Sequence, residues 1–177
     1  MSFAYQQRSF RDRQRLRDGY SQLLATQGYN TTITVQLNAG QQNPENVKRY
    51  VRHVLNVIDT KLLGKSVRTH PEKRINGPFF IEGLTTNTHV HGFIRICPEF
   101  LTELNKASTA KLICRSFTKY WASASVDLCG DVYVQYDENG EIKHSPVKWA
   151  NYISKSLRRT ADSDVIFFAE DFHSHAQ

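Results

Sequence analysis

A chain of 177 residues with 40% hydrophobic and 11% aromatic side chains is long and apolar enough for one domain with its own core. Charged residues make up 23%, which excludes wholesale disorder, and no apolar run reaches the ~18 residues of a membrane span. Lys and Arg number 23 against 17 Asp and Glu, a formal excess of +6 that favours a polyanionic partner, nucleic acid being the commonest. The first residues, MSFAYQQRSFRDRQRLRDGY, hold no apolar stretch of the kind a secretory signal needs. Cys97, Cys114 and Cys129 are odd in number and lack C-x-x-C spacing, as expected of small buried residues in a reducing, cytoplasmic compartment.

The first segment carries Arg8, Arg11, Arg13, Arg15 and Arg17, mostly two apart. That spacing suits neither an apolar-faced helix nor a buried strand, so a flexible basic arm over residues 1–25 is expected, able to lie along phosphates. A single domain is expected over 26–177. Residues 31–37, TTITVQL, alternate at period two and predict a strand. Pro44 then suits a helix start, and Val47, Tyr50, Val51, Val54, Leu55, Ile58 and Leu62 recur at three and four, predicting an amphipathic helix that Gly64 ends. Its other face carries Lys48, Arg49 and Arg52.

A polar loop is expected over 67–77. Two strands, 79–84 and 88–96, flank TTNT and form a hairpin. Pro98 opens a second predicted helix reaching Trp121, with Lys111, Arg115 and Lys119 at i, i+4 and i+8, a stripe able to follow a DNA backbone. One or two strands are expected in 123–136, then a turn at 137–140. Ser145 and Pro146 open a third helix through Leu157, and 164–169 is a last strand. This order predicts an α+β fold, a central antiparallel sheet of about five strands with helices packed on it. Gly64-Lys65-Ser66 resembles the end of a phosphate-binding loop, but Asp59 stands where the first glycine belongs and a helix precedes it, which excludes that motif.

The informative segment is FFIEGLTTNTHVHGFIRI, residues 79–96. Side chains two apart on a strand point the same way, so His89 and His91 share a face. A hairpin loop with an even number of residues sets Glu82 across from one of them, on that same face. Two imidazoles and a carboxylate there form an open three-ligand site for a divalent metal. A second pair, His173 and His175, has the same spacing in the last five residues and no tyrosine after it. In KWANYISKSLRR, residues 148–159, Tyr152 and Lys155 are i, i+3 neighbours on a helix. An ammonium group beside a tyrosine favours the phenolate and can neutralise charge on an attacked phosphate.

His-Val-His at 89–91 followed by Tyr-x-x-Lys at 152–155 resembles the HUH endonuclease superfamily. The closest branch is the single-tyrosine rolling-circle replication initiators of plasmids, phages and small single-stranded DNA viruses. The resemblance covers residues 31–158, with ITVQL at 33–37 in place of the family's first motif strand, HVHGF at 89–93 in place of its metal motif and YISK at 152–155 in place of its catalytic motif. It implies a ferredoxin- or RRM-like sheet and metal-dependent nicking and rejoining of single-stranded origin DNA. Glu82, His89 and His91 would hold Mg2+ or Mn2+, Tyr152 would become linked to the 5′ phosphate, and Lys155 would position that phosphate. Lys148, one turn before Tyr152, departs from two-tyrosine relatives. A helicase domain is not visible in the sequence, so either unwinding would need a host helicase, with synthesis by a host polymerase, or the chain is a fragment of something longer. A single-stranded DNA transposase with the same chemistry, a non-catalytic nucleic-acid-binding domain and a non-haem iron oxygenase are the competing readings.

Overall fold

The computed structural model describes residues 15, 18–19, 22, 27–37, 42–84, 87–121, 124–130 and 166–172. Five strands and two helices follow one another as β1 (Thr31–Gln36), α1 (Pro44–Leu63), β2 (Pro78–Glu82), β3 (His89–Ile94), α2 (Lys106–Tyr120), β4 (Ser125–Gly130) and β5 (Ile166–Phe168). The strands form one open sheet in the order β4-β1-β3-β2-β5, and every pairing is antiparallel. The fold is thus α+β, as the alternation of strand and helix patterns implies.

Local chemistry explains α1. Asn43 caps it, its Oδ1 accepting from the Glu45 N–H at 2.8 Å, and Pro44 enters the first turn, where its missing N–H costs nothing. Glu45 near the start and Lys61 near the end complement the helix dipole. Val47, Val51, Val54, Leu55 and Ile58 are buried on one face.

Side chains alternate across the sheet. Ile33, Val35, Phe79, Ile81, Val90, Ile94 and Phe167 point to the helices and join the buried residues of α1 with Ile113 and Phe117 of α2 in one core. Each such side chain contributes about 1.5–3 kcal/mol when fully buried. Gly92 sits in this layer because a Cβ there would stand 2.6 Å from the Phe79 ring and 2.7 Å from Ile33. Tyr50 links the helices, donating to the Phe117 carbonyl at 2.6 Å and meeting Trp121 edge-on.

Two expectations need correction. The second helix begins at Lys106, not at Pro98, which opens only a short 3-10 turn over Pro98–Phe100. Asn105 donates to the Glu99 carbonyl and Thr109 to the Phe100 carbonyl, so side chains take up the turn's acceptors, and Leu104, 89% exposed, does not extend the apolar stripe. The 67–77 loop is not simply polar and exposed. Arg74 and Ile75 are buried, and Asp59 of α1 accepts from Arg74 Nε and the Ile75 N–H, each at 2.9 Å. Burial raises the Asp59 carboxyl above its ordinary range while these two donors pull it back, so the pair is satisfied on both sides. Of the arm, the described residues Arg15, Asp18, Gly19 and Gln22 are helical and exposed. The expected strands beyond residue 130 and the third helix lie outside the described residues, apart from β5.

Candidate metal centre

The face of the sheet turned away from the core carries a different set of side chains. Pairing places Glu82 of β2 directly opposite His89 of β3, and His89 opposite Gln36 of β1. One step along, His91 lies between Thr34 and Phe80. Glu82, His89 and His91 therefore converge as the parity of the hairpin implies, and their ligand atoms all lie within 4.8 Å of one another.

The hairpin itself is shaped for this. Gly83 takes φ +68, and a Cβ there would stand 2.2 Å from the Asn87 carbonyl oxygen, so only glycine lets the chain turn so tightly after Glu82. The Asn87 N–H closes the turn on the Gly83 carbonyl at 3.1 Å. The Asn87 carbonyl is then left facing His89, whose Nδ1 donates to it at 2.9 Å.

Hydrogen bonding orients both imidazoles. With Nδ1–H of His89 committed to a carbonyl, Nε2 faces Glu82 Oε2 at 3.0 Å. A carboxylate oxygen accepts only, so that short contact requires a proton on Nε2 or a cation between the two atoms. The His89 pKa is accordingly raised above 6.5, first by the hydrogen bond to Glu82, then by the Asn87 carbonyl and the Glu82 charge, with desolvation opposing. His91 is held by Thr34, whose Oγ1 lies 3.0 Å from Nδ1, and its Nε2 stands 3.7 Å from the same Glu82 oxygen. The Thr34 contact orients the ring so that Nε2 faces Glu82. The rings of His89 and His91 meet edge to face at 4.9 Å.

The donor set fits a divalent cation. Cis ligands of an octahedral ion at about 2.1 Å stand roughly 3 Å apart, close to the two spacings from Glu82. Each imidazole also has a partner on its other nitrogen, as metal-bound histidines almost always do. Exposure is graded: the His91 side chain is 3% exposed, against 27% for His89 and 20% for Glu82. The deep imidazole would anchor an ion while the outer two ligands leave room for a substrate oxygen.

Of the other expected site residues, Tyr152, Lys155, Arg8, Arg11 and Arg13 lie outside the described residues, as do His173 and His175. Arg15 is exposed. Lys48, Arg49 and Arg52 on α1, with Lys111, Arg115 and Lys119 on α2, belong to the helical layer on the opposite side of the sheet. Elsewhere, His53 meets the Tyr120 ring edge-on, and His70 pairs with Glu72. Cys97 and Cys114 are free thiols, and no helix among the described residues is long and apolar enough to cross a membrane.

Sequence reasoning missed Thr34, Asn87 and Gln36, whose Nε2 donates to Asn87 Oδ1 at 3.4 Å. A signal existed in β1, where Thr32, Thr34 and Gln36 fill alternate positions between apolar residues and mark a polar sheet face. No protein-family model, no curated protein and no solved structure matches this chain.

Proposed function

We propose that Glu82, His89 and His91 bind a divalent metal, Mg2+ or Mn2+, in an enzyme that nicks and rejoins single-stranded DNA, a replication initiator of the HUH endonuclease type. The observation that carries the reading is the convergence of the three ligands on the open face of an antiparallel sheet, each imidazole oriented by a hydrogen bond to its Nδ1. The basic balance of the chain and the Tyr-x-x-Lys sequence downstream support it.

A bound divalent ion would polarise the scissile phosphate and offset the charge that builds on its oxygens. The chain's own groups have distinct tasks in this scheme. His91 anchors from within the sheet, and His89 gives up its second proton when a cation replaces it. Glu82 supplies the anionic ligand. The Tyr152 oxygen, its proton lost to water, attacks phosphorus, the bond to the 3′ oxygen breaks, and that oxygen takes a proton from water and leaves as a hydroxyl. The 5′ phosphate stays esterified to Tyr152, so the reaction can run backwards and rejoin strands without ATP. Lys155, three residues on in the sequence, neutralises the phosphate and favours the phenolate.

The test mixes purified protein with randomised single-stranded DNA and Mn2+ and runs a denaturing gel, with Tyr152→Phe alongside. A protein band carrying covalent DNA, absent in the variant and in EDTA, is the expected result. DNA binding and metal binding without any adduct would overturn the nuclease reading in favour of a binding module.

A further inference from the structure

The charge of this protein is distributed unevenly. Helices α1 and α2 carry eight Lys and Arg against two carboxylates, Glu45 and Asp59. The rest of the chain (23 less eight, and 17 less two) holds 15 of each sign, so α1 and α2 between them carry an excess equal to the whole +6. Asp59 is buried against Arg74 and does not offset that surface.

On α2 the asymmetry is complete, with four basic residues and no acid. Lys106 pairs with Glu103, but Lys111, Arg115 and Lys119 make no ion pair among the described residues. All three are exposed, on the side of α2 opposite its buried Thr109, Ile113, Ser116 and Phe117. Their i, i+4, i+8 spacing lines up like charges about 6 Å apart, over about 12 Å. Such an arrangement is self-repulsive, and a row of external anions relieves it. Arg49 and His53 on the exposed side of α1 continue the surface, joined to α2 where His53 meets the Tyr120 ring at 4.5 Å.

The same surface lacks what a protein partner or a single strand would use. Among the described residues, the large exposed apolar side chains are Leu104, before α2, and Tyr120. A protein interface is anchored by a buried apolar and aromatic centre, which the described residues of this face do not present. Single strands gain affinity by stacking bases on aromatic faces, and the Tyr120 ring already has Lys119 Nζ over it at 5.4 Å and His53 at its edge. A duplex keeps its bases stacked and offers phosphates alone.

We propose that the outer face of the helical layer is a second nucleic-acid surface, which binds the sugar–phosphate backbone of a duplex through Lys111, Arg115 and Lys119, on the side of the sheet opposite the metal ligands. Duplex binding here stands on the charge distribution, and that this is a second surface rests on the proposed function of the strand face. A duplex held there leaves the strand face open to a separate, unpaired segment of nucleic acid.

The experiment is fluorescence anisotropy of the full chain in EDTA, over a salt series, with a 20-base-pair DNA duplex and a single strand of equal length. The proteins are wild type, the triple variant Lys111→Gln/Arg115→Gln/Lys119→Gln, and the charge-keeping Lys111→Arg/Lys119→Arg. In the triple variant, duplex affinity should fall at least tenfold and the slope of log K against log salt should shrink by about 2.7, three contacts at about 0.9 each. Single-strand affinity should fall less. The charge-keeping variant should match wild type. An unchanged duplex slope in a triple variant with wild-type melting temperature would sink the proposal. So would an equal or larger loss for the single strand, and displacement of the duplex by polyglutamate at equal charge would identify an acidic protein partner instead.

Discussion

The two faces of the sheet are built from the same strands under different rules. On β1, Ile33 and Val35 enter the core while Thr34 and Gln36 serve the other side; on β3, Val90 and Gly92 face the helices while His89 and His91 face away. The core face depends on volume and accepts any side chain of suitable shape. The site face depends on particular atoms, because each ring nitrogen answers to one oxygen: Asn87, Thr34 or Glu82. Substitutions on the two faces should therefore separate stability from metal binding, although the residues are neighbours in sequence.

Phe79→Ala gives the largest expected effect. The ring is fully buried and stacks on Phe167 at 5.4 Å, so its removal should cost about 3–5 kcal/mol in denaturant unfolding and weaken metal binding only through the unfolded fraction. A variant that stays fully stable would place Phe79 outside the core.

His91→Ala should do the reverse. Metal binding by calorimetry should disappear, while the thermal midpoint of the metal-free protein moves little compared with Phe79→Ala. A variant that still binds a divalent ion at wild-type affinity would remove His91 from the site.

Gly92→Ala crosses the faces, since its Cβ would press into Phe79 and Ile33 while the backbone carries His91. A loss of about 1–3 kcal/mol is expected, with weaker metal binding in the folded fraction. Thr34→Val keeps the shape and deletes one hydroxyl. It should lower metal affinity about 10- to 100-fold at nearly constant stability, and Thr34→Ser should restore it. If both variants bind alike, Thr34 does not orient His91.

The smallest effect is the pH dependence. Because the folded His89 pKa is raised above 6.5, its pairing with Glu82 stabilises the metal-free protein fully below that value and fades as pH climbs through the raised one. Metal affinity runs the opposite way, since the ion displaces the His89 proton and must compete with it at low pH. Metal titrations from about pH 6 to 8 should show affinity rising in wild type and a flatter profile in His89→Gln. A wild-type profile as flat as the variant's would show that no proton leaves His89.

Much of this contrast was legible in the chain itself. Period-two alternation in residues 31–37 and 88–96 marks the strands, and the even loop between Glu82 and His89 fixes their shared face whatever the exact turn. The start of α2 was not legible, because Pro98 is a good helix opener by local rules and only Asn105 and Thr109 bonding back to residues 99 and 100 explain the delay. Nor was the burial of Arg74, whose polar surroundings resemble a surface loop until Asp59 of α1 is brought against it.

From sequence alone come the identity of the elements, the amphipathic faces of α1 and the grouping of Glu82, His89 and His91, because each follows from the 3.6- and two-residue periods of a regular backbone. Tertiary structure alone decided that β1 lies between β4 and β3, which brings Thr34 to His91 across 57 residues of chain. It also turned the exposed sides of α1 and α2 into one positive layer behind the metal ligands. Neither outcome has a local code, since strand order and helix packing are selected by the burial of the whole core rather than by any single segment.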